Sequence, residues 1–293
     1  MRLIDTCIPV LAGCLAIGGG MAASAASAPP AAAAAAQNTP PGFTALFDGR
    51  SLDGWQGDPR VWSVVDGAIV GRLEGGLGFN TFLIHGKPYE NFELRFKYRW
   101  KSDDGNSGVH FRSHPIGNHF ITGLQANVAP VGERPERFGM LYDEAGDRQE
   151  MVLLGQRAEI TRETEMGGVA RIVRTVREMV NAREDIIDAV RNGPEWTEVV
   201  VVAYDDHIVS AINGMLAFDA LDKDPRRPRS GVIGLQFHHR GGWIEYKDIA
   251  IKPLDAAPDL AGRFRSAPRP APEPRRTYKE STRPAQPDVA LTQ

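Results

Sequence analysis

Apolar and charged side chains alternate without interruption along Phe92-Glu93-Leu94-Arg95-Phe96-Lys97-Tyr98-Arg99-Trp100. Successive side chains of a strand point to opposite faces, so this run predicts a strand with one buried and one wet face. Shorter runs of strand character span Gly108 to Arg112, Gly123 to Val128, Glu198 to Tyr204, Ile208 to Ile212, Gly231 to His238 and Ile244 to Ile251. Another, Ala68-Ile69-Val70, follows the turn signal Asp66-Gly67. Asp103-Asp104-Gly105-Asn106 supplies a turn, and Asn213-Gly214 between apolar flanks predicts a two-residue hairpin. One helix is expected, with Asn181 as its cap, Glu184 as capping-box partner, Ile186, Ile187 and Val190 on its apolar side, and Gly193 past its end. Val169 to Met179 fits either a strand or a helix. Many short strands with one short helix predict an all-β sandwich.

Composition supports frequent turns: 31 glycines and 21 prolines lie among 293 residues. The formal net charge of -3 offers no general attraction to nucleic acid. Both cysteines, Cys7 and Cys14, precede the predicted strands, so the folded part has no disulfide or thiolate metal site. Residues 1–28 read as an export signal: Arg2, an apolar stretch from Cys7 to Ile17, then the small-x-small site Ala26-Ser27-Ala28. That stretch is too short and glycine-rich to span a membrane. Leu11-Ala12-Gly13-Cys14 offers an alternative, a lipoprotein signal with a lipid anchor at Cys14. The expected location is periplasmic or secreted. Residues 29–41 form an Ala/Pro-rich linker, 42–254 the folded domain, and 255–293 a Pro/Arg-rich tail expected to be disordered.

Three strands carry polar groups that an idle sheet does not need. Period-2 geometry pairs His110 with Arg112, Gln125 with Asn127, and Gln236 with His238, each pair opposite the apolar residues of its strand. Flat amides, imidazoles and guanidinium forks suit sugar hydroxyls. A solvated outer face explains any one strand; all three together favour a binding groove. His114, His119, His207 and His239 are weaker candidates, with His239 expected to face away from His238. Gly75-Gly76-Leu77-Gly78 lacks the Gly-Lys-Ser/Thr of a phosphate loop and reads as a flexible turn. No spacing in the chain defines a metal site.

The segments as a set resemble the 3-keto-disaccharide hydrolase family. The likeness opens on Gly42-Phe43-Thr44-Ala45-Leu46-Phe47-Asp48-Gly49 and continues through Asn80-Thr81-Phe82-Leu83-Ile84 and Gly105-Asn106-Ser107-Gly108-Val109-His110-Phe111-Arg112. It includes Leu141-Tyr142-Asp143-Glu144 and closes on Gly231-Val232-Ile233-Gly234-Leu235-Gln236-Phe237-His238 and Lys247-Asp248-Ile249-Ala250-Ile251. The resemblance implies a concanavalin-like jelly roll and cleavage of glycosides whose C3 hydroxyl has been oxidised to a ketone. One departure falls at His239-Arg240-Gly241-Gly242-Trp243, where the family usually has a Pro-containing stretch. It leaves leaving-group specificity open.

Chemistry of that kind needs a base near C2, an electrophile at the ketone oxygen and an acid at the leaving oxygen. His238 and Glu144 are the candidates for base and acid. His110 and Arg112, together with a divalent metal ion, are candidates to stabilise an enolate. Asn106, Ser107, Gln125, Tyr142 and Gln236 are candidates for holding substrate hydroxyls. Two other classes fit the sequence: a non-catalytic carbohydrate-binding module, and an envelope protein acting through its Arg/Pro tail.

Overall fold

In the computed structural model, residues 39–131, 137–164 and 170–280 are described. The predicted export signal, Cys7, Cys14, most of the linker and the end of the tail lie outside these residues. The smaller of two sheets runs, in spatial order, β10 (Gln149–Val152), β9 (Leu141–Glu144), β8 (Phe120–Asn127), β7 (Gly108–Gly117), β16 (Gly231–Phe237), β5 (Thr81–Tyr89) and β2 (Trp55–Gln56). The larger runs β18 (Arg269–Pro270), β12 (Ala170–Met179), β11 (Gln156–Thr164), β15 (Met215–Asp222), β14 (His207–Ile212), β13 (Thr197–Tyr204), β6 (Phe92–Trp100), β17 (Gly242–Pro253), β4 (Ala68–Leu73) and β3 (Trp62–Val65). Off that path, β1 (Thr44–Ala45) pairs with β17 and β19 (Arg276–Glu280) with β12.

The alternating run is β6, and its apolar side chains Phe92, Leu94, Phe96 and Tyr98 are all buried. They join one core with Val109, Phe111, Leu124, Ala126, Leu235 and Phe237 of the smaller sheet. Two sheets packed through the apolar halves of period-2 strands make the expected jelly-roll β-sandwich. The hairpin at Asn213-Gly214 forms between β14 and β15 with both residues at positive φ, 46° and 75°, the conformation a two-residue hairpin requires. From Ala170 on, the ambiguous segment is the strand β12, and Val169 lies outside the described residues.

The helix α1 (Arg183–Arg191) buries Ile186 and Ile187, but Asn181 does not cap it. The N-cap is Ala182, without a side-chain bond. The Asn181 amide instead donates to the carbonyls of Leu216 (2.8 Å) and Arg265 (3.1 Å) and accepts from the Ala267 N–H (2.9 Å). A buried amide satisfied on both sides by long-range backbone leaves nothing for the helix end.

Those bonds belong to a second correction. Residues 255–280, read as disordered, lie along the larger sheet. Leu254, Leu260 and Phe264 pack against Val180, Val200, Val202, Val209 and Leu216, and Ala271 is buried. The arginines find acidic partners on the domain itself: Arg263 pairs with Glu93, Arg269 with Asp185 and Arg276 with Glu163. Composition alone undercounts such a segment, because its few apolar residues fall where the sheet's outer face is itself apolar.

The smaller sheet is creased. Pairing of β7 with β8 shifts between Phe111 and His114, and pairing of β16 with β7 shifts between Val232 and Gly234. Arg112 sits at the crease with φ 47°, Gly123 and Gly231 with φ 140° and 154°. A Cβ on Gly231 would collide with the Ser113 backbone, and one on Gly123 would lie 2.6 Å from Ser113 Oγ. Beyond the crease the β7–β8 hairpin folds over the outer face of its own sheet. Phe120 meets Phe82 edge-on at 5.1 Å, and the Phe82 N–H donates to the His119 carbonyl at 2.9 Å. Phe82, Ile84, Ile121, Val232 and Phe120 form a small apolar cluster under this roof.

Candidate functional site

The three polar strands are neighbours, in the order β8-β7-β16. His110 lies opposite Gln125 and Gly234 in register, and Gln125 lies opposite Tyr142 on β9. The face is therefore shared, as period-2 geometry predicts. It is also covered: His110, Gln125 and Gln236 are 0%, 2% and 1% exposed, and Asn127, at the far end of β8, is 2% exposed and donates to the Arg137 carbonyl at 2.8 Å.

A chain of hydrogen bonds crosses this face. Gln125 Nε2 donates to Gln236 Oε1 (2.9 Å), and Gln236 Nε2 donates to Glu144 Oε2 (3.0 Å). Asn80 Nδ2 donates to Glu144 Oε1 (3.3 Å). Glu144 ends β9, opposite Gly123 at the crease, and its carbonyl accepts from Thr122 Oγ1 at 2.8 Å. The crease thus carries its carboxylate across to groups on β16. No side chain at Gly108 could share this space, because a Cβ there would collide with the Gln125 amide. Burial raises the proton affinity of Glu144, and the Asn80 and Gln236 amides oppose that rise by favouring the charged form.

His110 packs edge-on against Phe82 at 4.9 Å, and neither ring nitrogen has a hydrogen-bond partner among the described residues. Burial lowers its pKa to about 3, so the ring is neutral near pH 7. Tyr142 is half-buried, and burial together with Glu144 raises its pKa.

Strand β16 stops at Phe237, so alternation no longer separates His238 from His239. Their rings pack together, tilted by 39° with centroids 4.0 Å apart, contrary to the expected opposite orientation. The His239 N–H donates to Asn80 Oδ1 at 3.0 Å, so Asn80 ties this loop to Glu144. His238 lines a cleft with Asp104, Asn106, Ala129, Arg137 and Arg240. The buried Asn106 Oδ1 has no hydrogen-bond partner among the described residues.

Two predicted site residues lie elsewhere. Arg112 leaves the shared face because it occupies the crease. Its guanidinium donates to the carbonyls of Glu90 (2.8 Å) and Asp205 (2.7 Å) and to Asn91 Oδ1 (3.2 Å), holding two turns together. Burial lowers its pKa to about 10. The Ser107 hydroxyl is fully buried, bonded to the Gln236 carbonyl and, at 2.6 Å, to the Tyr246 hydroxyl, which uses it as a core link between the sheets. Asp143, beside Glu144, faces the other way and pairs with Arg148 at 3.0 Å.

Sequence reasoning missed Asn80, Arg137 and the glycine loop. Gly76 has φ 67°, and a Cβ on it would collide with the His239 carbonyl. The Gly78 N–H donates to the same carbonyl at 3.4 Å. The glycines are there for close approach to the His238–His239 loop, and their density was the available signal. Among the described residues no group of three or more His, Cys, Asp or Glu side chains is arranged to hold a metal ion. Nor is any described helix long and apolar enough to cross a membrane.

The sequence pattern of the 3-keto-α-glucoside-1,2-lyase-like domain matches residues 42–252. The chain belongs to this family. A relative from Bacteroides thetaiotaomicron named 3-keto-disaccharide hydrolase is 24% identical over 240 residues, 73% of this chain and 79% of the relative. A solved structure from Parabacteroides distasonis, provisionally named a glycosyl hydrolase, superposes with a TM-score of 0.49 at 21% identity, covering 72% of this chain and 99% of that one. A carbohydrate-binding module from Bacillus subtilis superposes with a TM-score of 0.39 at 14% identity, covering 68% of this chain and 95% of that one. Within the matched family segment lie Glu144, Gln236, Gln125, Asn80, Asn106, Tyr142, His110 and His238.

Proposed function

We propose that this chain cleaves the glycosidic bond of 3-keto-glycosides, 3-keto-disaccharides among them, with Glu144 as the base. One observation carries the reading: a partly buried carboxylate, gripped by two amide donors, whose proton affinity is raised toward that of an efficient base. The family and the name of the Bacteroides relative support the substrate class.

A ketone at C3 makes the C2–H bond acidic, because the electron pair left behind delocalises onto the ketone oxygen. Glu144 removes that proton and an enolate forms. The enolate collapses, restoring the ketone, forming a C1–C2 double bond and expelling the oxygen at C1. His238 protonates the departing oxygen. Water then adds its oxygen to C1 and gives one proton to His238, restoring the acid, while Glu144 returns its proton to C2, and the net result is hydrolysis. Arg137 and Arg240, beside His238 in the cleft, supply positive charge toward the enolate oxygen. His110, neutral and fully buried against Phe82, does not reach the substrate. Asn106 and Tyr142 hold hydroxyls, while Gln125 and Gln236 orient the carboxylate.

The test is release of the C1 alcohol from a 3-keto-glucoside by Glu144→Gln and His238→Ala proteins. Glu144→Gln is expected to lower kcat by about 10²–10⁴-fold and to abolish solvent-deuterium exchange at C2. His238→Ala should slow release but retain that exchange. Full activity in both variants rejects the assignment. Sugar affinity without product from the unaltered chain supports a binding module instead. Residues 1–28 are proposed to direct export, which cell fractionation with and without them tests.

A further inference from the structure

A cavity of about 200 Å³ opens where β10, the edge of the smaller sheet, meets β11 and β12 of the larger. Its floor is apolar, formed by the buried side chains of Met151, Ile160 and Ile172. Its walls carry Arg148, Arg174 and Lys279, with Glu150 as the one acidic residue among the lining residues.

The two guanidinium groups are incompletely used. Arg148, with its side chain only 3% exposed, donates from Nε to Asp143 (3.0 Å) and from Nη1 to Asp222 (2.6 Å). Among the described residues nothing bonds its Nη2. Arg174 donates from Nε to Thr277 Oγ1 (3.2 Å) and from Nη1 to the Glu150 carbonyl (3.4 Å), and it makes no ion pair among the described residues. A partly buried cation bonded only to neutral acceptors is poorly compensated. Burial accordingly disfavours its charged form, an effect that Glu150 only partly offsets.

We propose that this cavity binds a small organic carboxylate, with its charge on Arg174 and the free Nη2 of Arg148 and its short apolar body on Met151, Ile160 and Ile172. A carboxylate matches the planar guanidinium fork. The apolar floor and the nearby Asp143 and Asp222 disfavour a compact dianion such as phosphate. Thr277 and Lys279 belong to β19, beyond residue 252 where the family match ends. The C-terminal extension thus adds one wall to a cavity whose guanidinium groups and apolar floor lie within the matched segment, and the proposal does not rest on the reaction assigned to Glu144.

The experiment titrates butyrate into the full-length protein at neutral pH, read by NMR shifts and by calorimetry, with inorganic phosphate and butan-1-ol as comparators. Butyrate is expected to bind saturably, phosphate at least about tenfold more weakly, and butan-1-ol not at all. Arg174→Gln should weaken butyrate at least about tenfold, and Lys279→Gln, at an exposed position, by a smaller factor with the fold untouched. Butyrate binding no tighter than butan-1-ol overturns the proposal, as does phosphate binding as tightly as butyrate. Unchanged butyrate affinity in a folded Arg174→Gln protein also overturns it.

Discussion

Glu144 is held between opposing influences, and each can be changed separately. Burial raises its proton affinity, while Asn80 and Gln236 favour the ionised form. Removing the Asn80 donor by Asn80→Ala leaves burial less opposed, so the carboxyl should become harder to ionise. If Glu144 is the base, the acid limb of a kcat/KM–pH profile moves to higher pH. A limb that stays in place or moves down counts against that role. His110 gives a second pH dependence, in stability. Its folded pKa is lowered to about 3 from 6.5, so the unfolded chain binds the proton more readily. The stabilisation from a neutral His110 is complete above the unfolded value and is lost as pH falls from about 6.5 towards 3, at up to about 1.4 kcal/mol per pH unit. Urea unfolding at several pH values should show that slope, reduced in His110→Gln. At this scale the sequence was informative about which residues share a face and silent about burial. Alternation brought His110, Gln125 and Gln236 together. It could not tell a groove open to solvent from one roofed by its own hairpin.

The roof depends on the crease, where pattern reading failed. Strict alternation put Arg112 beside His110, but φ 47° at Arg112 and the register shift after Phe111 rotate it into the turns at Glu90 and Asp205. A bulge re-aims a side chain without disturbing the apolar residues on either side, so hydropathy carries no trace of it. The glycines do: Gly123 and Gly231 stand where β7, β8 and β16 approach too closely for a Cβ. Gly231→Val should therefore cost more than about 2 kcal/mol, measured by urea unfolding. At Gly117, on the hairpin tip, a Cβ would meet nothing within 4 Å, although φ is 100°. Gly117→Ala should cost only the backbone strain, about 1 kcal/mol. Equal losses at the two sites would mean that backbone conformation, and not the close approach of the strands, holds the crease. The helix teaches a similar lesson. Asn181 looks like a cap in sequence, yet three long-range backbone bonds claim its amide.

For the whole molecule, the segment after the family domain decides how the larger sheet is finished. Without residues 255–280, β12 would be an open edge, since β18 and β19 are its partners on that side. Val180, Val200, Val202, Val209 and Leu216 would lose the cover of Leu260 and Phe264. Asn181 would lose two of its three bonds, and Glu93 would lose Arg263. Open edges and bare apolar patches favour association between chains. The reading of this tail as a free, basic arm rested on its arginines, but Glu93, Asp185 and Glu163 of the same chain already face three of them. The side chains of Glu144, Asn80 and Gln236 bond to one another, to Gln125 and to His239, and to none of residues 255–280 among the described residues. A chain ending at Leu254 should therefore unfold at a clearly lower temperature and self-associate at concentrations where the full chain is monodisperse, as scanning calorimetry and light scattering would show. Below its unfolding temperature it should keep its turnover of a 3-keto-glucoside within a fewfold. Loss of turnover in a chain still folded by circular dichroism would instead make the extension part of the catalytic apparatus.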